Sequence, residues 1–166
     1  MTRPEFDPYA ILRELESERV SYVLVGALAR VIQGSDELTD GLDLTPSPRQ
    51  KNLDRLQAAL EHLNARRVDG RPLELTEDTL RDTPMLELRS DAGEIKIVPE
   101  PEGTRGYDDL RHRADHEPIG EGLRPAVADP GDLVRMLEAL GREHDRFTIE
   151  TMQRPMEIDH GLSWER

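Results

Sequence analysis

The segment that most constrains the fold is a short apolar run that ends on a glycine. Tyr22-Val23-Leu24-Val25, within Val20–Val25, carries no charge and is rich in β-branched residues, so it reads as a buried strand. Gly26 then turns the chain into a short helix over Ala27–Ile32, and Gly34-Ser35 ends that helix. Leu42–Thr45 follows as a second strand. A buried strand leading directly into a helix and back into a strand belongs to the α/β class.

The flanking segments extend this pattern. Asp7-Pro8 opens a helix, since Asp caps free amides and Pro suits the first helical position; Ile11, Leu12 and Leu15 form its apolar stripe. Ser47-Pro48 is a second start signal. Leu53, Leu56, Leu60 and Leu63 follow it at helical spacing. Strands are expected at Leu73–Thr76 and Met85–Arg89, the latter joined through Asp91-Ala92-Gly93 to Glu94–Val98 as a hairpin. Pro99–Gly106 reads as a loop, Tyr107–Ala114 as a short helix and Pro125–Ala128 as a last strand. Asp129-Pro130 opens a helix containing Leu133, Val134, Leu137 and Leu140; Gly141 stops it, and a further helix is expected over Arg142–Met152. With no linker or repeat, residues 1–152 form one expected domain and 153–166 a polar tail.

The 166 residues are enough to bury a core, and the scarcity of aromatics (4%) leaves that core to Leu, Val, Ile and Ala. A formal net charge of −13 disfavours nonspecific attraction to nucleic acid or anionic membrane. Arg66-Arg67 and Arg111-His112-Arg113 are local basic patches, read as solvated surface. The absence of cysteine excludes disulfides and thiolate metal sites. No apolar stretch approaches the roughly 20 residues of a membrane span, and the polar start MTRPEFDPY does not read as a signal peptide. A cytoplasmic location is the expectation. No GxSxG, Walker or Rossmann motif is present.

Gly34–Pro46 reads GSDELTDGLDLTP. Together with VLVGALARVIQGS (Val23–Ser35), Asn52–Leu60, Glu100–Ala114 and DPGDLVRMLEALGREHD (Asp129–Asp145), it resembles the minimal nucleotidyltransferases, and in particular the AbiEii/MenT-like group of bacterial toxin–antitoxin modules. The resemblance covers about residues 8–150. It implies the nucleotidyltransferase fold: a mixed central β-sheet flanked by helices, with helices at the C-terminal end. It also implies in-line transfer of a nucleoside monophosphate, assisted by one or two Mg²⁺ ions on an Asp-x-Asp pair and a third carboxylate. In a strand, residues i and i+2 share a face, so such a pair can grip a metal together.

Position by position, the resemblance assigns Gly34 and Ser35 to the phosphate turn and Asp43 to the second acidic position, as catalytic residue and metal ligand if the site is active. Gly41 stands at the first acidic position, Glu37 where Arg is common, Lys96 at the third carboxylate and Leu137 where Lys is common. The chemistry is thereby expected to be impaired. Asp40 has the wrong strand parity to replace position 41, although a bulge there or Asp36 and Glu37 in the turn leave a rescue open. Lys96 is expected to sit beside Asp43 and substitute for the metal; the alternative is a lysine reaching solvent. Gly34, Ser35, Lys96 and Arg142 are the expected nucleotide-binding residues. His112 and His116, spaced i and i+4, read as surface rather than as a metal site because arginines flank them.

Three functions follow from the resemblance. One is a binding or regulatory module without catalysis, needing no cofactor and pairing with a toxin or antitoxin protein. Another is an active toxin using Mg²⁺ and an NTP to modify tRNA or a protein. A third is a sensor that binds nucleotide without turnover. None involves a membrane.

Overall fold

The computed structural model describes residues 5–154. In chain order the elements are α1 Pro8–Ser17, β1 Tyr22–Val25, α2 Gly26–Ile32, β2 Gly41–Pro46, α3 Gln50–His62, β3 Arg66–Arg67, α4 Glu77–Arg81, β4 Leu86–Ser90, β5 Gly93–Ile97, α5 Tyr107–Leu110, β6 Asp115–His116, β7 Ala126–Val127 and α6 Pro130–Leu140. A 3₁₀ turn, Glu143–Asp145, leads into α7 over 146–154.

The strands make one mixed seven-stranded sheet in the order β3-β4-β5-β2-β1-β7-β6. β1 runs antiparallel to β2 and parallel to β7, while β2 and β5 are parallel. Period-two alternation divides the sheet into two faces. Leu24, Leu42, Leu44, Leu86, Leu88, Ile95 and Ile97 share one face by register and are buried in one core with Ile11, Leu12 and Leu15 of α1 and Leu53, Leu56 and Leu60 of α3. Asn52 joins these layers, its amide donating to the carbonyls of Ser21 (2.8 Å) and Ser47 (2.9 Å) and its oxygen accepting from the Ser21 N–H (2.6 Å).

Two of the three start signals act as expected; Ser47-Pro48 does not cap α3, which begins at Gln50 after Arg49 with no side-chain cap. Asp7 accepts from the Ala10 amide and Asp129 from the Gly131 amide, each followed by Pro in the first turn. Gly141 ends α6 at φ +63°. The hairpin forms, with Ser90 Oγ donating to the Gly93 carbonyl across the turn.

Three further expectations need correction. Leu73–Thr76 is not a strand, because the glutamines of α3 take its backbone groups. Gln57 accepts from the Leu75 N–H and donates to the Leu73 carbonyl, and Gln50 donates to the Leu75 carbonyl. The edge strand is instead Arg66–Arg67, paired to β4. The helix from Tyr107 stops at Leu110, and Asp115–His116 continues as a strand against β7, so His112 and His116 never share a helix face. The last α-helix begins at 146, after the 3₁₀ turn, rather than at Arg142, and runs to 154; residues 155–166 of the expected tail lie outside the described residues. Among the described residues, no helix is long and apolar enough to cross a membrane.

Candidate functional site

The site is organised by the turn at Gly26. A strand entering a helix without a linker needs an unusual backbone angle at the junction, and Gly26 adopts φ +74°. The absent side chain has a second consequence. A Cβ built on Gly26 would stand 2.3 Å from Asp43 Oδ2. Asp43, opposite Val25 in the β1–β2 register, therefore rests its carboxylate directly on the start of α2.

The face of the sheet away from the Leu and Ile row bears Gly41, Asp43, Glu94, Lys96, Glu87 and Arg89, and none of these is buried. Lys96 is the register partner of both Asp43 on β2 and Glu87 on β4. One row of this face thus alternates carboxylate, ammonium, carboxylate. Gly41 lies beside Glu94, where a Cβ on the glycine would stand only 3.2 Å from the Glu94 Cβ and carbonyl oxygen.

Burial pushes the Asp43 carboxyl above the usual carboxylate range; the charges of Lys96 and Arg30 counter this only in part. Lys96 therefore faces Asp43 as the register requires. Among the described residues, no ion pair within 4.0 Å joins the two.

Arg30 of α2 is held by Glu37. Its Nε and Nη2 donate to Glu37 Oε2 and Oε1 at 2.8 and 2.9 Å, a bidentate pair with both side chains mostly buried. Ser35 Oγ donates to the same Glu37 Oε2 at 2.6 Å. Burial raises the Glu37 carboxyl, but hydrogen bonds from Arg30 and Ser35 outweigh it and hold it below its ordinary value. The serine expected to meet phosphate is therefore engaged by a carboxylate. Gly34 is exposed at φ +105°, with no atom within 4 Å of a built Cβ.

Arg142 lies apart from this cluster. Its Nε donates to the buried Asp145 at 2.6 Å, and His144 lies 3.5 Å from the same carboxyl group. Asp36 and Asp40 are exposed in the segment before β2. Leu137 is buried in α6. Among the described residues, no three His, Cys, Asp or Glu side chains come together as a metal-holding group.

The fold therefore gathers Asp43, Lys96, Arg30 and Glu37 around the start of α2, tied to Ser35 through Glu37. Gly26 and Arg30 are the members that sequence reasoning did not assign. The available signal for Gly26 was its place immediately after a buried strand, where only glycine permits both the turn and the approach of Asp43.

No family model and no curated protein matches the sequence. Solved structures do match in shape. TM1012 of Thermotoga maritima, assigned as a nucleotidyltransferase, superposes with a TM-score of 0.56 at 16% identity, covering 89% of this chain and 90% of that one. The lincosamide antibiotic adenylyltransferase LnuA, with lincomycin bound, gives 0.58 at 14% identity, covering 90% and 98%. ANT(2'')-Ia in complex with adenylyl-2''-tobramycin gives 0.52 at 11% identity, covering 92% and 95%. These identities establish shape and nothing finer. The chain has the nucleotidyltransferase fold, with a mixed seven-stranded sheet and flanking helices.

Proposed function

We propose that this protein retains the nucleotidyltransferase fold as a binding or regulatory module of the AbiEii/MenT-like kind and has given up metal-dependent transfer. The observation that carries this reading is the register of β2 and β5. It sets Lys96 beside Asp43 on the face where Gly41 offers no side chain. A magnesium ion seeks several oxygen ligands with near-octahedral geometry. Of the three positions that the resemblance assigns to acidic ligands, Asp43 alone is acidic here; a cation stands next to it, and Glu37 already occupies Arg30 and Ser35. These residues do not fit a resident Mg²⁺. The strongly acidic surface suits a basic protein partner, of the toxin or antitoxin class, better than tRNA. Cytoplasmic residence belongs to the same reading.

A second reading, an active toxin moving a nucleoside monophosphate from an NTP to tRNA or protein, draws on one observation. Asp43 is half-buried, accepts no hydrogen bond among the described residues and has a raised pKa, as functional carboxylates often do. Incubation with each labelled NTP, Mg²⁺ and total tRNA or cell protein separates the two. The module reading expects no label above an Asp43→Asn control. Labelling that requires Asp43 would establish the second reading instead.

A further inference from the structure

At the opposite end of β1 from Asp43, a cavity of about 510 Å³ opens between the end of α1, α5 and the β6–β7 ribbon. Val20, Tyr107 and Ala114, each partly buried, supply apolar surface over a fully buried layer that includes Leu12. Arg19, Arg111 and Arg124 also line it. Glu16 is the acidic residue of the lining, and Arg111 is paired outside it with Asp108 at 3.3 Å. Arg19 and Arg124 have no ion-pair partner among the described residues.

Two details define the walls of this cleft. Arg19 follows α1 at φ +57°, in the left-handed position that closes a helix and favours glycine. Its N–H donates to the Glu16 carbonyl (3.0 Å) and the Val20 N–H donates to Leu15 (2.9 Å). A residue bearing a side chain is thus kept where glycine would be easier, and that side chain lines the cavity. The opposite wall is braced: His116 Nδ1 lies 2.9 Å from the Arg124 carbonyl, and the Glu117 N–H donates to Pro125 (3.0 Å). Tyr22 adds a mostly buried phenol. Burial and then the Glu16 charge push its pKa well above the usual range, so it stays protonated and able to donate.

We propose that this cleft binds a small organic phosphate monoester, its phosphate on Arg19, Arg124 and the Tyr22 hydroxyl and its apolar body on Val20, Tyr107 and Ala114. Donors from separate elements match the terminal oxygens of a phosphate better than the two of a carboxylate, and guanidinium forks pair with phosphate bidentately. The volume lies within the range of small-molecule sites. The assignment does not depend on the fate of the Asp43 site.

The test is amide chemical-shift mapping with 1-naphthyl phosphate, beside inorganic phosphate, 1-naphthoate and 1-naphthol, at fixed moderate salt. Shifts are expected at Arg19, Tyr22 and Leu123–Ala126, with 1-naphthyl phosphate binding more tightly than any comparator. Arg124→Ala and Arg19→Gly should each weaken it about tenfold or more, while Lys96→Ala leaves it unchanged. Arg19→Gly also relieves the left-handed residue, so its Tm should rise by about 2–4 °C; a loss of binding in that variant cannot then be ascribed to unfolding. Shifts centred on Gly26, Asp43 and Lys96, wild-type affinity in both arginine variants, or equal binding of 1-naphthol or 1-naphthoate would each overturn the proposal.

Discussion

The two faces of the central sheet are built from the same strands, yet they obey different rules. On one face Leu42, Leu44, Ile95 and Ile97 are fully buried and interchangeable in kind: any apolar residue of similar volume would serve. On the other face the intervening positions, Gly41, Asp43, Glu94 and Lys96, are half-exposed and charged or empty. Period-two alternation lets one face hold the fold while the other changes its chemistry.

The largest effect should come from the packed face. Leu44→Ala removes a fully buried side chain and should cost about 2–5 kcal/mol by denaturant titration, with an unchanged m-value. A loss below about 1 kcal/mol would mean that this face is not the core.

Glu37→Gln comes next and reaches the charged face from α2. It leaves Arg30 mostly buried without its bidentate partner, and a loss of about 1–2 kcal/mol at pH 7 is expected. Because the Glu37 pKa is lowered on folding, its contribution is present above the unfolded carboxyl value and lost as pH falls through the folded one. The difference between variant and wild type should therefore shrink in acid. The same variant should acquire affinity for inorganic phosphate at Arg30, since its clamp is gone.

Asp43→Asn should act in the opposite direction, raising Tm by about 2–4 °C at pH 7. The Asp43 pKa is raised, so the native state binds a proton more readily than the unfolded chain. Stability is then highest below the unfolded pKa and declines as pH rises through the folded value. The advantage of the asparagine should accordingly vanish in acid. Lys96→Gln should have the smallest effect, moving the Asp43 carboxyl further up in a ¹³C carboxyl titration with little change in Tm. An unmoved titration would mean that the ammonium does not act on Asp43.

Period and capping made most of the fold readable. Asp7-Pro8, Asp129-Pro130 and the Leu53–Leu63 spacing each mark helices that form. The failures have a common cause in partners distant along the chain. Leu73–Thr76 has strand-like composition, but its backbone groups meet Gln50 and Gln57 of α3 instead of another strand. Tyr107–Ala114 reads as helical, but the helix stops at Leu110 and the chain beyond it turns to pair Asp115–His116 with β7. In the candidate site, strand parity was enough to align Asp43 with Lys96 once the register is known. The clamp of Glu37 on Arg30 and the contact of Asp43 with Gly26 depend on how α2 lies against β1 and β2, which no local pattern specifies.

The central claim is that the charged face has exchanged its metal ligands for Lys96 and an empty position 41. Mg²⁺ titration calorimetry on the wild type and on the Gly41→Asp/Lys96→Asp double variant tests it most directly. An aspartate introduced at position 41 must displace the Glu94 Cβ and carbonyl by a few tenths of an ångström, so the folded state of the variant is checked by its Tm before titration. No stoichiometric Mg²⁺ binding is expected from the wild type, and one-to-one or two-to-one binding from the variant. Stoichiometric binding by the wild type that disappears in Asp43→Asn would contradict the claim.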